Sequence, residues 1–302
     1  MNFVVTGGAG FIGSHITHHL IERDYQVTAI DDVNIETLEN FGNTTKTVEF
    51  KKINILNYED LRKAFRNVDG VFHHAALTDV QESFRKPNLY YDVNVKGTEN
   101  ILKIAEEFNI KVVFASSASV YGNPEKIPIK ETAVRKPLNP YGITKLECEK
   151  LIEKYSKRGN QVLTLRYFNV FGKRQTGSYA AVITRFLDKI KNKMPPEIFG
   201  DGSQTRDFIY VDDVVSANLS AMKSDIGNGF FNIGTGIKTS IKDLANLMIE
   251  LSGYSLEPLF KKPVSGDIKQ SQADISLANK LLNWKPKISL REGLINLISN
   301  NK

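Results

Sequence analysis

The chain has a single cysteine, Cys148, among 302 residues. No intramolecular disulfide and no all-cysteine metal site can form from it, which fits a reducing compartment. No apolar run reaches the length that spans a bilayer. The first residues lack the basic start and apolar middle of a secretory signal. The expectation is a cytoplasmic protein with no membrane partner. Forty Lys and Arg face 34 Asp and Glu, a net charge of +6. The basic residues are scattered and form no stripe of the kind nucleic-acid binders carry, so an anionic small molecule is the better match for the surplus. There is no internal repeat and no low-complexity stretch. His15 and His19, four apart, have metal-binding spacing but no third ligand, and no metal is expected.

What is present is a rhythm. Strand-like runs at residues 2–6, 27–30, 48–53, 71–72, 111–115 and 162–166 alternate with helix-like stretches at 11–23, 57–66, 88–108 and 141–157. Such alternation predicts an α/β fold: a Rossmann-like, doubly wound parallel sheet with helices on both faces. From about residue 168 the rhythm breaks into loops rich in Gly, Pro and Asn. The expected division is a dinucleotide-binding domain over residues 1–167 and a smaller substrate-binding lobe over 168–302. Residues 207–240, with a helix at 211–222 and a strand at 230–233, return to the first domain.

The first strand runs into Gly7-Gly8-Ala9-Gly10-Phe11-Ile12-Gly13. Gly7 permits a tight turn, Gly10 leaves bare backbone for a pyrophosphate, and Gly13 lets the following helix pack closely. The helix N-terminus offers N–H groups and a partial positive charge to the phosphates. The second strand ends at Asp31, whose carboxylate suits the adenosine ribose hydroxyls and would repel a 2′-phosphate, so NAD is expected rather than NADP. Asp32 is an accessory candidate.

Five motifs stand in register along the chain: the glycine spacing; His74-Ala75-Ala76; residues 94–98, Asn-Val-Lys-Gly-Thr; residues 116–122, Ser-Ser-Ala-Ser-Val-Tyr-Gly; and Tyr141-Gly-Ile-Thr-Lys145. Together they resemble the extended short-chain dehydrogenase/reductase family, in its UDP-glucose/UDP-N-acetylglucosamine 4-epimerase type. The resemblance implies catalytic roles for Ser117, Tyr141 and Lys145. The chemistry is also arguable directly. Tyr141 and Lys145 share one helix face. A free phenol titrates near pH 10, and a neighbouring ammonium with a positive nicotinamide would favour the phenolate. That phenolate could take a proton from a sugar hydroxyl, with Ser117 steadying the same oxygen. The family further implies cofactor contacts from Asn54, Ile55, His74, Ala75, Ala76, Asn94, Ser116 and Tyr167, and has Lys145 hold the nicotinamide ribose.

Within that family, dehydratases carry acids directly after the active-site hydroxyl residue. Here those positions are Ala118 and Ser119, so dehydration is rejected. Epimerisation at C4 needs only hydride removal, rotation of the 4-keto sugar and hydride return. The second lobe resembles a UDP-sugar site: Asn169 and Arg206 for the diphosphate, with the guanidinium fork suited to phosphate, and Phe199 for stacking on uracil. Thr78, Ser117, Ser119, Tyr141, Ala181, Val182 and Asp267 are the remaining implied substrate contacts. Relatives place an arginine where Val264 stands; Lys261, Lys262 or Lys269 is left to replace it. Small Ser271 occupies the position that resembles the gate for the C2 substituent, which suggests that N-acetylated sugars are taken as well. Residues 178–183 also resemble the N-acetylhexosamine group. Two rivals stay open: a net NAD-dependent dehydrogenase, and a non-catalytic dinucleotide sensor. A homodimer is expected through the helices at 88–108 and 141–157, which carry apolar residues such as Leu146, Leu151, Ile152 and Tyr155 beyond one sheet-facing stripe.

Overall fold

The computed structural model describes residues 1–33, 48–175, 182–263 and 268–299. In chain order the first half comprises β1 (Asn2–Thr6), α1 (Phe11–Ile21), β2 (Gln26–Asp31), β3 (Glu49–Lys52), α2 (Tyr58–Ala64), β4 (Gly70–His73), α3 (Val80–Arg85), α4 (Pro87–Tyr91), α5 (Gly97–Phe108), β5 (Lys111–Ser117), α6 (Pro140–Ser156) and β6 (Val162–Tyr167). The second half comprises β7 (Asn169–Phe171), α7 (Val182–Lys191), β8 (Glu197–Phe199), β9 (Thr205–Arg206), β10 (Phe208–Tyr210), α8 (Val211–Lys223), β11 (Asn228–Ile233), β12 (Thr239–Ser240), α9 (Ile241–Ser252), β13 (Leu259–Lys261), α10 (Ser276–Leu282) and α11 (Leu290–Ser299).

Seven strands form one sheet in the order β11-β6-β5-β4-β1-β2-β3, and every pairing in it is parallel. Both faces are covered. Side chains of β1, β5 and β6 pack against α1, α8 and α10 on one side, and against α2, α5 and α6 on the other. This explains why the strands read as continuous apolar runs rather than alternating ones. The winding reverses between β1 and β4. In open sheets the ligand crevice lies at such a switch point, beyond the strand ends. β11 joins the sheet beside β6, while β7–β10, β9–β12 and β8–β13 form separate two-stranded pairs. A third apolar cluster, from α7, α9, α11 and β10, supports these pairs.

Side-chain caps set where two of the helices begin. Asn57 caps α2 through the Asp60 N–H, and Asn139 caps α6 through the Gly142 N–H. The long helix expected at 88–108 is present as one continuous run: α4, a wide π-type turn at Asp92–Lys96, and α5. The turn carries Asn94 into the interior, where it is 1% exposed. Its amide nitrogen donates to the Leu77 carbonyl, and its oxygen accepts from the Leu77 N–H. Such bulges commonly mark functional sites. The apolar residues that suggested a partner also belong elsewhere. Ile152 and Tyr155 are buried in the chain's own core, and Leu146 and Leu151 are partly buried against it. What these helices expose is Leu89, Tyr91 and Ile143.

Candidate active site

The glycine turn is shaped by backbone contact. Gly7 has φ +68°, and a Cβ there would stand 2.6 Å from the Ala75 nitrogen. At Gly13 a Cβ would stand 2.0 Å from the Gly7 carbonyl oxygen. Helix α1 therefore begins directly against the turn. Its N-cap is Gly10, without a side-chain cap and without an acidic residue in the first turn, and Phe11 and Ile12 follow, half-buried. The result is a bare cradle that a side chain would fill and an uncapped helix N-terminus facing it, which is what a pyrophosphate requires. Asp31 is largely buried at the end of β2. Its carboxylate accepts from the Ala9 and Asp32 N–H groups, so it also braces the turn, and burial raises its pKa despite those bonds. Asp32 is exposed.

The loop after β4 forms the facing wall. His73 is buried between the hydroxyls of Thr6 and Thr98, at 2.7 and 2.9 Å. His74 stacks on Tyr167, whose hydroxyl lies 3.0 Å from its Nε2 and is also bonded to Asn218. Burial and the Lys145 charge push His74 down to about 3, so it is neutral across the physiological range. Ala75 and Ala76 are half-buried beside it, and Thr78 is exposed farther along. Ile55 points into the core against Gly97, and the exposed Asn54 uses its oxygen to bind the Leu56 N–H.

β5 and α6 carry the side chains expected to be catalytic. Tyr141 is 9% exposed, and the neighbouring Ser117 hydroxyl favours its phenolate. The Ser117 hydroxyl in turn lies 3.0 Å from that of Ser119. One helical turn on, Lys145 is 3% exposed, and its Nζ donates to the Ala115 carbonyl at 2.8 Å, 6.0 Å from the centre of the Tyr141 ring. The depressed phenol pKa is expected of the ammonium and the positive nicotinamide together; in the protein alone the phenol stands higher. Burial pushes Tyr141 up to about 12, with the Ser117 bond opposing. Burial also lowers Lys145 to about 8. The ammonium is engaged by a carbonyl rather than by the phenol, so its field does not offset the loss of water.

A narrow cleft opens from Ser117 and Ser119 and is lined farther along by Asn169, Arg206 and Ser271. Ser271 is buried. Arg206 is half-buried, and its guanidinium donates to the Thr205 and Ile268 carbonyls. Phe199 does not line this cleft; it stands 38% exposed on β8, a ring open for stacking. Val182, half-buried, begins α7. Ala181 and Asp267, like Val264, lie outside the described residues. Among the described residues no group of three or more His, Cys, Asp or Glu could hold a metal ion.

Sequence reasoning did not single out two buried carboxylates. Asp207 is fully buried; it accepts from the N–H groups of Thr235, Gly236 and Ala273 and from the Thr235 hydroxyl. It thereby fixes the segments that carry Arg206 and Ser271. Glu149 is also fully buried and binds Ser116, so the Ser116 side chain points away from the cleft. The available signal was Arg166, a charge inside an otherwise apolar strand, which demands a buried partner.

A glycine cradle at the switch point, an acid on β2 and a Ser–Tyr–Lys set at the end of β5 define a dinucleotide-dependent enzyme of the short-chain dehydrogenase/reductase type. The NAD dependent epimerase/dehydratase family model matches residues 3–234, and the chain belongs to that family. Three solved structures resemble it over nearly their whole length. The UDP-glucose 4-epimerase of Thermotoga maritima, with UDP-glucose, has TM-score 0.93 and 37% identity, covering 99% of this chain and 98% of that one. The UDP-N-acetylglucosamine 4-epimerase of Methanobrevibacter ruminantium, with UDP-N-acetylmuramic acid, has TM-score 0.93 and 36% identity, covering 99% and 97%. The UDP-glucuronic acid 4-epimerase of Bacillus cereus, with UDP-glucuronic acid and NAD, has TM-score 0.91 and 34% identity, covering all of both chains. The cofactor is NAD.

Proposed function

We propose that the chain inverts C4 of a UDP-hexose through a transient 4-keto sugar, and that it accepts both the 2-hydroxy pair (UDP-glucose and UDP-galactose) and the 2-N-acetyl pair. The observation that carries this is the placement of Tyr141 beside Ser117, at the end of a cleft that Ser117 shares with Asn169, Arg206 and Ser271. Bound NAD would supply the hydride acceptor at C4 and then the donor. Tyr141 takes the C4 hydroxyl proton and returns it. Ser117 donates to the oxygen that becomes the carbonyl. The Lys145 ammonium lies on the same helix face and favours the phenolate once the positive nicotinamide stands beside it. Arg206 and Asn169 hold the diphosphate, and Phe199 stacks on the base.

The three structural neighbours are named for different sugars, so the breadth proposed here rests on this chain's own small, buried Ser271. Ser271→Tyr should abolish turnover of UDP-N-acetylglucosamine and retain that of UDP-glucose; loss of both, or of neither, contradicts the gate. The reaction itself is tested by incubating purified chain with UDP-glucose, UDP-N-acetylglucosamine and the corresponding uronates separately, without added NAD, and separating C4 epimers. Net accumulation of free NADH instead of an epimer would favour a dehydrogenase. A homodimer is part of the same reading. Its support is the exposed Leu89 and Tyr91 of α4 and Ile143 of α6, and sedimentation as a lone chain would contradict it.

A further inference from the structure

Glu149 is 0% exposed, one helical turn past Lys145 and two past Tyr141. Its Oε1 accepts from the Ser116 hydroxyl at 2.7 Å and from Arg166 Nε at 2.9 Å. Its Oε2 accepts from Arg166 Nη2 at 2.8 Å and Arg135 Nη1 at 3.0 Å. Arg166 is equally engaged: its Nη1 donates to the Tyr121 hydroxyl and to the Glu131 carbonyl, both at 2.8 Å. The Tyr121 hydroxyl donates on to Asn232 on β11. One carboxylate therefore fastens α6 and the ends of β5 and β6 together.

We propose that Glu149 is a positioning residue for the reaction, holding Ser116 so that the adjoining Ser117 stays in register with Tyr141 and Lys145. The inference rests on the proposed C4 chemistry. Consecutive strand residues face opposite ways, and residue 117 is extended. Ser116 locked to Glu149 on the α6 face thus fixes the end of β5, and with it the direction in which Ser117 leaves the strand. Stability alone does not call for this arrangement, since a buried ion pair is commonly no better than apolar side chains of the same volume. What it adds is a rigid distance between two elements that each carry reacting groups. A misplacement of about 1 Å can cost roughly a hundredfold in rate.

Glu149 also reaches Lys145 through its charge. Around that ammonium stand Tyr141, Cys148 and Glu149 of α6, His73 and His74 after β4, and the Ala115 carbonyl of β5. The two histidines oppose the ammonium; the Glu149 carboxylate favours it. Neutralising Glu149 therefore moves Lys145 further below about 8, and the alkaline fall in rate moves to lower pH.

The test compares parent, Ser116→Ala and Glu149→Gln, each loaded with NAD, on the UDP-sugar the parent turns over. Ser116→Ala removes one hydroxyl and leaves the Glu149–Arg166 pair intact, so it keeps the test sound if Glu149→Gln folds poorly. We expect kcat to fall roughly tenfold in Ser116→Ala and roughly a hundredfold in Glu149→Gln. KM and retained NAD should stay at parent values in both, and the alkaline limb should shift to lower pH in Glu149→Gln only. Parent-like kcat in Ser116→Ala, a rate loss that tracks loss of NAD or of melting temperature, or an unmoved limb in Glu149→Gln overturns the positioning role alone. A parent that turns over no UDP-sugar overturns the reading of function, and the inference with it.

Discussion

Tyr141→Phe should lower kcat by roughly 10²–10⁴-fold, the range a positioned proton-transfer group contributes, while UDP-sugar affinity changes little. The substitution removes only a hydroxyl beside Ser117, and the ring stays packed with Lys145 on the same face. Fold, cofactor retention and diphosphate contacts should survive, so the loss belongs to kcat. At about 1.4 kcal/mol per tenfold, the deficit is ~3–5 kcal/mol of transition-state stabilisation. Steady-state kinetics beside calorimetric titration with UDP would separate the two. A variant that binds normally and keeps full turnover would remove the mechanism.

Gly13→Ala should abolish stable NAD retention and lower the folding stability. The added Cβ would meet the Gly7 carbonyl oxygen at 2.0 Å. The turn has nowhere to retreat, because Gly7 is itself in the left-handed region and lies against the Ala75 backbone. Overpacking of this kind costs ~1–3 kcal/mol, occasionally more. Relief comes only by separating α1 from the turn, which spoils the cradle. At Gly10 the same methyl would stand 3.1 Å from that oxygen, so Gly10→Ala should disturb the fold less. Thermal unfolding and the nucleotide released on denaturation check both variants; a Gly13→Ala protein that purifies with a full complement of NAD contradicts the account.

The sheet was legible because its strands are buried on both faces and its turns are punctuated by glycine and asparagine. The glycine cradle and the Tyr141–Lys145 spacing are local patterns, so they too could be read directly. Other features are products of tertiary structure. The wide turn at Asp92–Lys96 lies inside the helix that the periodicity predicts, and it places Asn94 to clasp Leu77. Ser116 looked like its neighbour Ser117, and only the pleat shows that it faces Glu149. Spacing on a helix also does not tell where an ammonium points; Lys145 donates to Ala115, and in the protein alone burial raises Tyr141.

The central claim is that hydride leaves C4 and returns to the same carbon without exchanging with solvent. UDP-hexose carrying deuterium at C4, incubated in ordinary water with no added NAD, tests it most directly. The account predicts a C4 epimer with its deuterium retained. An epimer whose C4 label has washed out to the solvent would contradict it.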